Sequence, residues 1–358
     1  MVRLTWLQFR LQALVTAAGL LLMAALVALT GPHLVQVYNT VVAPCLAQGG
    51  DCRPTVASFV GTDSFLQQVL DAVLIATPAL LGIFWGAPLL AREIATGTFR
   101  LVWTQSVSRR RWLAIKLGTI GLASMIVAGL LSLMVTWWFS PIDRVNANRF
   151  LPGVFDVRGV VAIGYAVFAF ILGVTCGLLW RRMLPAMASA LAVFVGARLA
   201  VTYWIRPHLL APVTQSLAFV WGPGAGVAQG SAGGGAFVIP PTPNLPNAWV
   251  YTNVIVDRAG HAPSSQFLQS ACPALTGGLD GASSNFGTGI SKPSPGGGPT
   301  AQQVHSCVAA IAANYHQVVT YQPASRYWLF QWYEAAIFVG LAFILAGICF
   351  WWVRRRLS

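Results

Sequence analysis

Six runs of mainly apolar residues, at about 11–32, 69–91, 117–139, 159–180, 184–205 and 331–353, constrain this chain more than any other feature. A helix rising about 1.5 Å per residue needs about 20 residues to cross the hydrocarbon core of a bilayer. Within lipid it must also satisfy its own backbone N–H and C=O groups. Each run has the required length. Charged residues make up 9% of the 358, whereas a soluble domain carries about a quarter, so lipid is the solvent that this composition fits. Pro78, Pro88 and Pro185 lie in or beside the runs, where neighbouring helices can take up the freed carbonyls. The first run is longer than the apolar core of a secretory leader and ends without a small-residue cleavage site, so it reads as a retained span.

Basic residues divide unequally between the connections. Arg3, Arg10, the six bases from Arg92 to Lys116, Arg181, Arg182, Arg354, Arg355 and Arg356 fall on one side, thirteen bases against the single acid Glu93. The opposite short connections hold Arg53, Arg144, Arg149 and Arg158 together with several acids. Because positive charge stays inside, both termini and the segment 92–116 are predicted to be cytoplasmic. The net charge of +13 would draw nucleic acid to a soluble protein. Here the bases flank spans and set topology, so no nucleic-acid partner is expected. Arg outnumbers Lys twenty to two, and Ala, Gly, Val and Pro abound, a bias of high-GC bacterial genomes that places the chain in a bacterial plasma membrane.

Cys45 and Cys52 fall in the first outer connection, and Cys272 and Cys307 in the long connection before the last span. Two sequence-local pairs on the oxidising face predict two disulfides, with four free thiols as the alternative. Loop-closure entropy gives about 2.5 kcal/mol for the short ring and nearly 4 for the long one. The region from about 206 to 330 differs in kind. Its stretch "WGPGAGVAQGSAGGGAFVIPPTPNLP" is expected to be irregular, "WVYTNVIVD" a strand, "TAQQVHSCVAAIAANY" a helix and "HQVVTYQPASRYW" a returning strand. The expected fold is therefore an all-α polytopic membrane protein with six transmembrane helices, cytoplasmic termini and a small disulfide-tied extracellular α+β cap between helices 5 and 6. Its parts are 1–205 with helices 1–5, the extracellular region 206–330, and 331–358 with helix 6 and the cytoplasmic tail.

The chain carries no chemistry of its own that the sequence reveals. An ATP-binding loop needs Lys after Gly, because the backbone nest and the ammonium share the phosphates. Here Lys116 follows Ile115 and Lys292 follows Ser291. No H-E-x-x-H or other metal-ligand spacing is present, and His33, His208, His261, His305 and His316 are at least eleven residues apart. The chain is not expected to be an enzyme, and neither a cofactor nor a metal is expected in it. Gly173 and Gly177 form a G-x-x-x-G in the fourth run, and Ala188, Ala192, Gly196 and Ala200 a four-spaced stripe in the fifth. Small residues let helix backbones approach closely in lipid. Asp71, Arg198 and Glu334 lie near the outer ends of spans, where a charge costs about 3 kcal/mol unless paired or wet. Arg198 is expected to pair with Asp71 or Glu334 and close the outer side; snorkelling to headgroups is the alternative.

The basic segment "REIATGTFRLVWTQSVSRRRWLAIK", residues 92–116, is the cytosolic connection between the second and third runs. Its middle can form a short helix bearing Phe99, Val102 and Trp103. Such a helix either docks into a groove on a soluble partner or lies as a membrane-surface elbow with its arginines on anionic lipid. At the start, "VRLTWLQFRL" with Arg3, Trp6, Phe9 and Arg10 suits either an interfacial helix or the beginning of the first span.

In its six spans and in the pattern Glu93, Gly97–Thr98, Ser108–Arg109 and Lys116, the chain resembles the permease subunits of ABC-2 type transporters, particularly actinobacterial ones. "YQPASRYWLFQWYEAAIF" is similar to the start of the last span in that branch. Ser106 departs from the family pattern, which often has Pro there, so the helix can end differently. The resemblance implies a second permease copy or homologous permease, a cytosolic ABC ATPase dimer holding the ATP and Mg, and a coupling helix made by this segment. Glu93 and Gly97–Thr98 would set its angle, Phe99 and Trp103 would be its anchors, and Arg100, Ser108 and Arg109 would support docking. It further implies export by alternating access; an apolar, aromatic-lined pathway predicts an amphipathic substrate, be it a natural product, a lipid or a peptide. The alternative is a membrane-anchored immunity protein that sequesters a membrane-active peptide through the outer region.

Overall fold

The computed structural model describes residues 2–48, 52–96, 108–145, 149–222, 224–229, 235–243, 245, 247–276 and 300–356, and the backbone alone at 2–8, 96, 109, 229, 276 and 356. Six helices are long and apolar enough to cross a membrane: Phe9–Gln48, Ser64–Ala95, Arg110–Val145, Val161–Trp180, Met183–His208 and Ala324–Arg355. Each contains one of the six apolar runs. The chain divides into two compact units, one made of the spans and one of Ala211–Ala324.

The fourth span is the hub of its unit. Sixteen of its twenty residues are buried, because it packs against the second, third, fifth and sixth spans. Close approach to the second span depends on glycine. A Cβ at Gly173 would run into the Gly82 carbonyl oxygen, one at Gly177 into that of Ala87, and one at Gly86 into that of Phe170. On the other side a Cβ at Gly164 would lie 3.1 Å from the Ala335 Cα of the sixth span. The G-x-x-x-G of the fourth span is thus consumed inside the chain. The second stripe is not: Ala188, Ala192 and Gly196 are exposed. The fifth span instead buries Ala186, Ala190 and Phe194.

The first span packs chiefly on the third and is pinned near both ends. Phe9 meets Trp85 edge-on at 4.6 Å, and Gln12 donates to the Phe84 carbonyl at 3.0 Å. Further along, Trp138 Nε1 donates to Thr30 Oγ1 at 2.9 Å. The helix runs unbroken from Val2 to Val37, so "VRLTWLQFRL" is the start of this span, and Phe9, suited by its sequence to the membrane surface, is buried. Three spans contain one π-helical segment each, at Tyr38–Val42, Gly82–Gly86 and Val201–Ile205. Cys45 and Cys52 are bonded just past the first of these.

The second unit is built on a three-stranded antiparallel sheet. Its strands are β1 (Val213–Ala218), β4 (Trp249–Val256) and β5 (His316–Gln322), in the order β1-β5-β4. A hairpin of β2 (Gly226–Gln229) and β3 (Ala236–Ile239) completes it. Phe219, Ala236, Ile255, Leu268 and Ile311 form its core around the Cys272–Cys307 disulfide. Helix Ala301–Asn314 starts with a capping box between Thr300 and Gln303, which satisfies two otherwise orphaned backbone donors. A strand at 249–256 and a helix at 301–314 lie where expected, but the returning strand stops at Gln322 and the helix Tyr327–Arg356 takes over within the stretch expected to be strand. The hairpin is a further correction: Val227 and Val238 pack on the core, and that burial outweighs the Gly-rich composition that read as irregular.

Candidate functional site

Ionisable side chains gather at two places in the span unit, near opposite ends of the spans. At the end away from the chain termini, Asp156, Tyr165, Arg198, Arg206 and Glu334 form one network. Arg206 donates to Glu334 through Nε at 2.7 Å and Nη2 at 2.9 Å, and also bonds Asp156. Arg198 donates to the same Asp156 carboxylate at 3.0 and 3.3 Å and to the Ile75 carbonyl at 3.2 Å. The Tyr165 hydroxyl donates to Glu334. Arg206 and Glu334 are 1% and 0% exposed, and two guanidinium groups against two carboxylates leave the set neutral. That balance is what lets four charges sit in a low-dielectric interior, where an unpaired one would be costly.

Local structure explains how the residues meet. Asp156 follows the one-turn helix Pro152–Phe155, and the tucked connection 155–158 is buried. Gln331 of the sixth span holds it in place, donating to the Phe155 carbonyl at 2.9 Å and accepting from the Val161 N–H at 3.1 Å. Phe155 in turn lies under the Arg206 guanidinium at 4.2 Å, a cation–π contact. In an unbroken α-helix position 206 would stand about 80° around from position 198. The π segment Val201–Ile205 turns less per residue, so Arg198, Thr202 and Arg206 come to one face.

The expected partners of Arg198 are corrected here. It bonds Asp156 rather than Asp71 or Glu334, and Glu334 takes Arg206. Asp156 wins because its segment folds back between spans instead of lying in an outer loop. Asp71 sits within electrostatic reach of a neighbouring pair, Arg158 and Asp143. Arg158 also covers the Phe139 ring at 4.3 Å. Asp156, Tyr165, Arg206 and Gln331 were not singled out by sequence. The four-residue spacing Arg198, Thr202, Arg206 was the available signal, hidden because Arg206 was assigned to the outer region.

At the end carrying the termini, Glu93 of the second span is paired with Lys116 of the third. Lys116 also stands over the Trp112 ring at 4.9 Å. Ser108 is exposed and accepts from the Arg111 N–H at 3.4 Å, capping the helix that opens the third span. Gly97, Thr98, Phe99, Arg100 and Trp103 lie outside the described residues, as does the side chain of Arg109.

Between these two ends the first, second and third spans line an open cavity of about 520 Å³. Its walls are apolar, among them Leu20, Met23, Leu81, Trp85 and Leu131, with Gln12, Thr16 and Thr77 as polar points. A family model described as ABC-2 membrane transporter related matches residues 17–206, more than half of the chain. No curated protein and no solved structure matches it.

Proposed function

We propose that this chain, which belongs to the ABC-2 membrane transporter related family and is a transporter permease subunit, exports an amphipathic substrate with energy from a separate ATPase subunit. The observation that carries this reading is the Glu93–Lys116 pair. It ties the end of the second span to the start of the third on either side of 97–107, so a push on that segment would move both spans together. The second span is keyed to the fourth by Gly82, Gly86, Gly173 and Gly177, and the fourth bears Tyr165 of the network. In this account the segment 92–116 is the coupling helix, with Phe99 and Trp103 in the ATPase groove. The Asp156–Arg198–Arg206–Glu334 network is the gate at the far end, and Asp71 lies instead within reach of the Arg158–Asp143 pair. A mostly apolar cavity with a few hydroxyl and amide groups suits an amphipathic molecule entering from lipid. The family match does not favour a sequestering immunity protein.

The test is a pull-down from native membranes. A nucleotide-hydrolysing subunit should co-purify with the wild type and be lost when Phe99 and Trp103 are both changed to Asp. Lys116→Met should keep that subunit bound but abolish the stimulation of its hydrolysis by substrate. Transport by the purified chain with no hydrolase attached would end this account.

A further inference from the structure

One pocket borders the proposed coupling segment, taking Ser108 and Arg110 from its end and its other walls from the sixth span. At the end of the spans that carries the termini, Ser108, Arg110, Phe350, Val353 and Arg354 line a hollow of about 350 Å³. Arg110 opens the third span and Arg354 closes the sixth, so the hollow lies where the apolar length of two helices gives out. Its floor is apolar, with Val353 buried and Phe350 half-buried, while both arginines are exposed.

Two guanidinium groups from distant parts of the chain share this hollow without a carboxylate. Among the described residues the acid at this end is Glu93, and it is held by Lys116. Like charges brought to one hollow repel, so an anion between them would be favoured. A planar guanidinium fork fits a phosphate better than any other common anion at a membrane surface. An apolar floor beneath two such forks, at lipid headgroup depth, fits a phosphate that has hydrocarbon attached.

We propose that Arg110 and Arg354 bind the phosphate of an anionic phospholipid in the leaflet on the side of the termini, with Phe350 and Val353 against its first chain carbons. The ligand chemistry is phosphate; a free phosphate ion is the other source. Occupancy would bridge the third and sixth spans close to the segment 92–116, so the surrounding lipid would help set the position of that segment's base.

The full chain is placed in nanodiscs of phosphatidylcholine with graded phosphatidylglycerol, and retained lipids are counted by native mass spectrometry. A parallel arm titrates inorganic phosphate into phosphatidylcholine discs and follows the thermal midpoint. Wild type should retain phosphatidylglycerol, and the double variant Arg110→Gln, Arg354→Gln should bind it about 30-fold more weakly, from roughly one fivefold step per arginine at a membrane surface. Arg355→Gln, which removes a base seated on Trp351 at 5.4 Å and outside the hollow, should leave binding unchanged. A response to inorganic phosphate alone, lost in the double variant, would keep the phosphate site and overturn its lipid source. Equal binding by wild type and double variant in both arms, as expected if an acidic side chain of another subunit fills the hollow, would overturn the proposal. So would an equal loss in Arg355→Gln, since that is what diffuse surface charge produces.

Discussion

The span unit and the unit Ala211–Ala324 solve the same problem in opposite ways. The unit Ala211–Ala324 has a small core, and a covalent link at Cys272–Cys307 adds to what hydrophobic burial supplies. The span unit has no hydrophobic drive between its helices once they are in lipid. It is held by backbone contact at glycine and by polar groups that satisfy one another, above all the neutral set Asp156, Arg198, Arg206 and Glu334. The lesson is that buried charge balance holds the first unit together, whereas charge in the second acts locally at its surface.

The sharpest way to break that contrast is Arg206→Met. It leaves Glu334 and Asp156 as partly uncompensated buried charges and should cost about 3–5 kcal/mol, read as a collapse of the thermal midpoint in detergent. Adding Glu334→Gln should recover much of the loss. No recovery would mean that the network is not held by charge balance. Next comes the double replacement Cys272→Ser, Cys307→Ser, expected to cost the unit Ala211–Ala324 about 2–4 kcal/mol and expose it to protease while the spans stay folded. If the spans melt with it, the two units are not independent. A smaller effect is expected of Gly173→Ala, about 1–3 kcal/mol from forcing a Cβ against the Gly82 carbonyl. Gly196→Ala, with nothing within 4 Å of its Cβ, should change the midpoint by less than about 0.5 kcal/mol.

The smallest effect belongs to an exposed turn of the unit Ala211–Ala324. The Asp257 carboxylate accepts the N–H groups of Ala259 at 2.8 Å and His261 at 2.9 Å. These backbone bonds, that from His261 foremost, hold its pKa below the ordinary carboxylate value. The folded pKa is depressed, so the turn's contribution is present above the ordinary value and is lost as pH falls through the folded one, below about pH 4. Amide exchange at Ala259 and His261 should therefore lose protection in acid before the sheet does. Unchanged protection there would show that the carboxylate does not hold the turn.

The spans were legible because each is a continuous apolar run of the right length, and length is a property that a sequence states directly. The two disulfides were legible because the partners are close in sequence. The network was only half legible. Arg198 and Glu334 stood out as charges inside apolar runs, but Asp156 and Arg206 sit just past run ends, where charge is unremarkable, and only folding back brings them inside. The β2–β3 pair was hidden by the Gly-rich composition around it, which obscures Val227 and Val238, the residues that pack on the core. Glu93 and Lys116 were visible as members of a pattern; that they touch depends on two helices running antiparallel around 97–107, which no local signal encodes.

The π segment Val201–Ile205 carries a consequence for how variation in this chain must be interpreted. Arg206 finds Asp156 because of how many residues precede it, not because of which residues they are. Removing any one of the five and letting the helix revert to regular winding would put Arg206 seven positions after Arg198, about 700° and so within about 20° of the same face, whereas one added residue would swing the guanidinium by about 100°. Exchanging one apolar residue there for another would leave it in place. Substitution and one-residue deletion scans would thus pass over this stretch as tolerant, and a one-residue insertion scan would find it among the least forgiving in the molecule.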